Sequence, residues 1–196
     1  MRNTKILEYQ MLAKVYTVPT EGLLIPRENF SAESADTFIS QWLSLPADAP
    51  ICALFERRRA KIEHRARRLT QFSERCRNDI SQFFITHGDA GGNFIASGDK
   101  NYIVDWDTVL LAPPERDAWF CMCWDWAMDA FHDALRQSGI NYTLRPERLA
   151  YYCYHMFFYY LNAYLDRYIQ IGLAQDIEEY MDGWIEEAFQ FADKYS

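Results

Sequence analysis

Five polar side chains stand close together in the middle of the sequence: His87, Asp89 and Asn93 in the run HGDAGGN, and Asp105 and Asp107 in the run YIVDWD. Between the runs, residues 94–96 and 102–104 read as two short strands flanking a turn at 97–101. A hairpin folds the chain back on itself, so Asp89 and Asn93 at one end lie close to Asp105 at the other. Carboxylate and amide oxygens gathered in this way suit magnesium, a hard cation that takes few protein ligands and leaves its other positions to water and phosphate. The pattern is that of a phosphate-and-metal site. The CMC triplet at Cys121 to Cys123 offers no rival, because no second pair or nearby histidine completes the four ligands that zinc takes.

These residues need a scaffold, and the apolar periodicity supplies a mostly helical one. Residues 4–16 carry Ile6, Leu7, Met11, Leu12 and Val15 at helical spacing until Pro19 stops the pattern. A second helix opens at Ser31 or Ser34, carries Phe38, Ile39, Trp42 and Leu43, and ends at Pro46. A longer helix over 51–71 sets Arg57, Arg58, Arg59, Lys61, Arg65, Arg67 and Arg68 among its apolar positions. That face either is solvated and shields an acidic neighbour or meets an anion or RNA. After the hairpin, residues 119–137, 146–170 and 176–194 read as helices. The apolar stretch 151–161 is about half the roughly 20 residues of a membrane span and reads as a buried helix. The expected fold class is therefore α+β, mostly helical, one domain over 1–196 with a small β-hairpin in its middle.

Composition narrows the function classes. With 20 basic and 28 acidic side chains the net charge is −8, which excludes a generic nucleic-acid coat. Apolar residues make up 49% of the chain and aromatic ones 16%, enough to build a core and to exclude disorder. The charge is uneven: residues 1–98 hold 13 basic and 11 acidic side chains, whereas 99–196 hold 7 and 17. Five cysteines without framework spacing, and charges that interrupt the first 25 residues, point to a reducing, cytoplasmic location with no disulfide and no membrane partner.

The motifs resemble a known family. HGDAGGN is similar to the HGDxxxxN catalytic loop of the aminoglycoside phosphotransferases, which share the protein-kinase fold, and YIVDWD is similar to their metal-binding segment. The continuation LLAPPERDAWF at 110–120 and the earlier IPRENFS at 25–31 are most similar to the spectinomycin phosphotransferase-like branch. The resemblance covers about residues 5–165. It implies that Asp89 is the catalytic base, accepting or orienting the proton of a substrate hydroxyl as that oxygen attacks a terminal phosphoryl group. It implies that Asn93 and Asp105 hold Mg2+ against the phosphates of ATP or GTP. His87 would buttress the loop backbone, Asp117 would tie the following helix to the loop, and Asp107 would be a supporting acid or a further ligand.

The same resemblance exposes a gap. Members of this family carry an amino-terminal lobe with a phosphate-contacting lysine on a strand and a glutamate paired to it. The five lysines here are Lys5, Lys14, Lys61, Lys100 and Lys194, and none lies in a strand-like run ahead of the loop. HGDAGGN precedes a strand, which excludes a P-loop. The chain therefore reads as a kinase-like carboxy-terminal lobe with the amino-terminal lobe absent, weak or inactive alone, and completed by self-association or a separately encoded lobe. The alternative is a non-catalytic module, derived from such an enzyme, that binds a small molecule or a protein.

Asp125, Asp129 and Asp133 recur at four-residue spacing, as do Glu178, Asp182 and Glu186. Like charges so spaced repel by a few tenths of a kcal/mol per pair. Each stripe is either a solvated face or, for the first set, an electronegative wall attracting a cationic alcohol or amino sugar. The run YYCYHMFFYY at 151–160 is apolar nearly all round a helix and is expected in the core.

Overall fold

The computed structural model describes residues 2–79, 81–97, 100–172, 175–183 and 185–195. In chain order these form α1 (Arg2–Val15), α2 (Glu33–Ser44), α3 (Pro50–Arg57), α4 (Arg59–Arg77), β1 (Phe84–Thr86), β2 (Phe94–Ser97), β3 (Lys100–Ile103), β4 (Leu110–Ala112), α5 (Glu115–Ala118), α6 (Asp125–Gln137), α7 (Pro146–Ile171), α8 (Gln175–Asp182) and α9 (Ile185–Ala192). Single 3-10 turns occupy Ala90–Gly92, Trp119–Cys123 and Asp193–Tyr195. The contacts divide the chain into two compact units, Met1–Asn29 with Ile80–Leu149, and Phe30–Asp79 with Ala150–Ser196.

In the first unit two antiparallel ladders are nested. The inner one pairs β2 with β3, from Phe94 opposite Ile103 to Ser97 opposite Lys100. The turn proposed at 97–101 includes residues 98 and 99, which lie outside the described residues. The outer ladder pairs β1 with β4, Thr86 opposite Leu110 and Phe84 opposite Ala112. Periodicity revealed only the inner pair, because the outer strands are three residues each and their pairing spans 24 to 28 positions. Residues 26–28 of IPRENFS lie along β4, with the Leu111 amide donating to the Pro26 carbonyl at 2.8 Å and Glu28 N–H to the Leu111 carbonyl at 2.8 Å. Helix α1 buries Tyr9, Leu12 and Ala13. Tyr9 meets Phe131 of α6 with ring centroids 5.3 Å apart, and Tyr16, just past the helix, meets Phe84 of β1 at 5.6 Å.

The second unit is helical with an aromatic core. Tyr151, Tyr152, Tyr154, Phe157 and Phe158 of α7 are essentially inaccessible, as are Phe38, Phe55 and Phe72. Phe38 packs edge-on to Phe55 at 5.1 Å, and Phe72 stacks on Tyr154 at 5.7 Å. Each such side chain buries about 150–250 Å² and stabilises the unit by roughly 1.5–3 kcal/mol. The hydroxyls that come inside with these rings are satisfied: Tyr151 donates to the Ser31 carbonyl at 2.9 Å and Tyr154 to Asp193 at 2.6 Å.

Several helices differ from the sequence pattern. The stretch expected as one helix over 51–71 is two, because Arg58 leaves the helical region (φ −109°, ψ 8°), and α4 then runs on to Arg77. No glycine or proline marks that break. The helix expected from residue 119 begins at Asp125, after a 3-10 turn and an extended Trp124 (φ −139°, ψ 124°). Placing Asp125 in the first turn of α6 suits the positive end of the helix dipole. The helix expected over 176–194 is two helices with Gly183 between them. The basic face of α3 and α4 meets the acidic stripe near the carboxy terminus: Glu178 pairs with Arg58 at 3.4 Å and Arg57 at 3.8 Å, and Glu186 with Arg65 at 2.7 Å and Lys61 at 2.8 Å. Those pairs offset the like-charge repulsion of the stripe; the side chain of its middle member, Asp182, lies outside the description. No helix among the described residues is long and apolar enough to cross a membrane.

Candidate functional site

Nesting one ladder inside another leaves two connections running side by side at one end of the inner hairpin. HGDAGGN joins β1 to β2, and residues 104–109 join β3 to β4. The ladder continues one step into them, since Val104 N–H donates to the Asn93 carbonyl at 3.0 Å. Asn93 is thereby fixed beside Val104, with Asp105 the next residue along. Asn93 also reaches back: its Nδ2 donates to the Asp89 carbonyl at 2.7 Å and to Asp89 Oδ2 at 3.4 Å. Asp89, Asn93 and Asp105 are brought together by the register of one hairpin.

Beneath them lies a polar cradle, buried at His87 and half-buried at Thr108, Arg116 and Asp117. His87 is fully buried, its Nε2 meeting the Val104 carbonyl at 2.8 Å while Nδ1 accepts the Asp89 amide at 3.1 Å. Only the tautomer with hydrogen on Nε2 satisfies both bonds. The imidazole thus links the backbone of Asp89 to the residue before Asp105, and the Trp106 ring packs against it at 4.6 Å. Thr108 Oγ1 donates to the His87 carbonyl at 2.6 Å. Asp117 of α5 accepts the His87 amide at 3.1 Å, the Gly88 amide at 2.5 Å and the Tyr16 hydroxyl at 2.8 Å. Arg116 donates to the Thr86 carbonyl at 3.3 Å, to Thr86 Oγ1 at 3.1 Å and to the Thr108 carbonyl at 2.6 Å. Gly88 has φ of 87°, and a Cβ there would collide with the Arg116 guanidinium, so this position needs glycine on two counts.

The rim above is exposed. Asp89, Asp105 and Asp107 face solvent, and Asn93 is half-buried. Asp105 and Asp107 accept no hydrogen bond and form no ion pair among the described residues. Asp105 sits in the left-handed region (φ 63°), a conformation that aspartate tolerates better than most side chains but that still stores strain, and such strain clusters at functional sites. With Nδ2 of Asn93 committed to Asp89, its amide oxygen is left as an acceptor. An amide oxygen and one or two exposed carboxylates form an all-oxygen donor set that fits Mg2+, which keeps water and phosphate in its remaining positions. Among the described residues no group of three His, Cys, Asp or Glu side chains could hold a metal.

The other sequence candidates fall elsewhere. Asp125, Asp129 and Asp133 all lie on the exposed face of α6, opposite its buried residues Ala127, Phe131, Ala134 and Leu135. Asp133 pairs with Arg136. Four of the five free cysteines are buried, and burial pushes the Cys121 thiol up to about 12, which keeps it protonated and unreactive.

Sequence reasoning assigned no role to Arg116, Thr108 or Tyr16, and it passed over a second buried network. Glu115 is fully buried and accepts the Arg145 amide at 2.6 Å and the Tyr142 hydroxyl at 2.8 Å, while Arg148 donates to the same hydroxyl at 2.7 Å. Burial raises the Glu115 carboxyl to about 7 against these lowering bonds. Its neighbours in ERD, Arg116 and Asp117, serve the loop, so one short segment anchors three separate strands and turns.

No family profile and no curated protein sequence matches the chain. Among solved structures, it is similar to a spectinomycin phosphotransferase in complex with ADP and spectinomycin, with a TM-score of 0.71 at 19% identity over 97% of this chain and 66% of that one. The AMP-bound complex of spectinomycin phosphotransferase gives a TM-score of 0.68 at 20% identity, over 95% of this chain and 66% of that one. The chain thus spans about two-thirds of the length of these structures. The likeness shows the fold: mostly helical with two small sheets, of the kind found in kinase-like phosphotransferases.

Proposed function

We propose that this chain is the catalytic-loop portion of an ATP- and Mg2+-dependent phosphotransferase that transfers a phosphoryl group to the hydroxyl of a small cationic molecule in the cytoplasm. The observation that carries the reading is the convergence of Asp89, Asn93 and Asp105 at one end of a hairpin, above a cradle that fixes both connections. Asp89 takes the proton of the attacking hydroxyl, and its backbone is held for that task by His87. Asn93 and Asp105 present oxygens toward the metal, which when bound neutralises charge on the nucleotide phosphates. His87, Asp107 and Asp117 are supporting residues. Asp125 and Asp129, exposed and without ion pairs among the described residues, serve with Asp133 as a wall that attracts a cationic amino sugar or alcohol; spectinomycin, bound by one structural neighbour, illustrates that class.

The exposed apolar face of the inner hairpin supports a further element of the reading. Ile95, Tyr102 and Val104 are 49%, 46% and 38% exposed, and they project from the same side of the ladder, next to Asn93 and Asp105. A second copy or a separately encoded lobe covers it, and the lone chain has weak activity or none. Isothermal titration of the full chain with magnesium nucleotide tests the assignment: saturable binding supports it, whereas the absence of binding favours the non-catalytic module. Light scattering tests the cover, a strictly monomeric solution counting against self-association.

A further inference from the structure

The sequence places no lysine on a strand ahead of the catalytic loop, but the structure brings one to the loop from a helix. Lys5, on α1, has its Nζ 3.3 Å from the point that a Cβ on Gly91 would occupy, two residues beyond Asp89. The ammonium is held by Glu8 one turn on, with Nζ–O distances of 2.9 and 3.1 Å. Glu8 is almost fully buried, whereas the Lys5 side chain is 30% exposed. A buried carboxylate under a half-exposed ammonium is an anchor: leaving Glu8 charged without Lys5 would be costly, so the ammonium is confined to this spot. Burial raises the Glu8 carboxyl and Lys5 is the main influence lowering it, with His87 and Asp117 of the cradle also close enough to act on it. An ammonium has three donors, and Glu8 takes two. The third has no partner among the described residues, and the ammonium lies beside Gly91 of the turn Ala90–Gly92.

We propose that Lys5 is the phosphate-facing cation of this site, positioned by Glu8. Phosphoryl transfer depends on positive charge placed beforehand around the moving group; of the other lysines ahead of the loop, Lys14 is exposed at the far end of α1 and Lys61 pairs with Glu186. The inference rests on the phosphotransferase reading and adds to it the cation that the sequence motifs did not supply.

The test is titration of the full chain with Mg·ATP and with tripolyphosphate, comparing wild type, Lys5→Arg and the double variant Lys5→Met/Glu8→Gln. The double variant removes both charges together, so no buried carboxylate is left unpaired, and thermal unfolding confirms that it is folded. Loss of a charge-assisted contact should weaken both ligands by about tenfold in the double variant, while Lys5→Arg stays within about threefold of wild type. Equal tripolyphosphate affinity in wild type and double variant overturns the proposal even if Mg·ATP binds. Binding of tripolyphosphate that depends on Lys5, without binding of Mg·ATP, sustains the phosphate contact and overturns the phosphotransferase reading. Binding of neither ligand to wild type overturns both.

Discussion

The cradle and the rim of the site are both built of polar side chains, yet they differ in what those side chains have left to give. In the cradle, His87, Thr108, Arg116 and Asp117 direct their polar atoms at backbone groups of the loop or at one another. On the rim, Asp105 and Asp107 have no partner among the described residues, and Asn93 keeps its oxygen free. Polar groups that are buried and satisfied build structure, because each unmet one would cost about 1–3 kcal/mol. Polar groups that are exposed and unspent contribute little to stability and are available to a ligand. The difference separates residues that hold the loop from residues left free to meet a ligand.

Substitutions should divide the two regions cleanly. The largest effect is expected for Asp89→Asn, which should lower any phosphoryl-transfer rate by about a thousandfold while leaving the unfolding free energy within about 0.5 kcal/mol of wild type. Asp117→Ala should show the opposite balance of causes. It strips acceptors from two loop amides and a hydroxyl and should cost about 3 kcal/mol in urea denaturation, with activity lost because the loop is no longer held. If Asp117→Ala were as stable as wild type, the cradle would not be a cradle.

Glu115 sharpens the comparison through pH. Its carboxyl is held up at about 7 against an ordinary value of 4.5. The folded state therefore binds this proton more tightly than the unfolded state, so the stability it contributes is fully present below about pH 4.5 and is lost as pH rises to about 7. The loss amounts to about 3 kcal/mol at most. Glu115→Gln should flatten the stability curve across that window, as read by chemical denaturation at a series of pH values; an unchanged slope would show that Glu115 is ionised throughout. The smallest effect is expected on α6, where Asp129→Asn should change stability by only a few tenths of a kcal/mol and, if the wall reading holds, weaken binding of a cationic amino sugar in titration.

The parts of this arrangement that were legible in the sequence are the local ones. Alternation in residues 94–96 and 102–104 marks a hairpin, and a hairpin by its geometry returns Asp105 to Asn93. The aromatic run in α7 likewise announces its burial by being apolar on every side, although Tyr159 within it is 47% exposed. What escaped depends on contacts between distant positions. The β1–β4 ladder is too short to show a period. The break at Arg58 has no glycine or proline to signal it. Lys5 lies on a helix 84 positions before Asp89, and only the packing of α1 against the loop gives it meaning. Glu115 and Asp117 are two residues apart in one motif, yet one faces a buried network and the other the loop HGDAGGN, a division that spacing alone does not reveal.

The rim's claim to be a magnesium-nucleotide site is tested most directly by titrating the full chain with Mg·ATP beside the Asp105→Asn variant. Saturable binding to wild type is expected, weakening about tenfold or more in the variant, with the variant as stable as wild type. Binding unaffected by the substitution, or no binding to wild type at all, would contradict it.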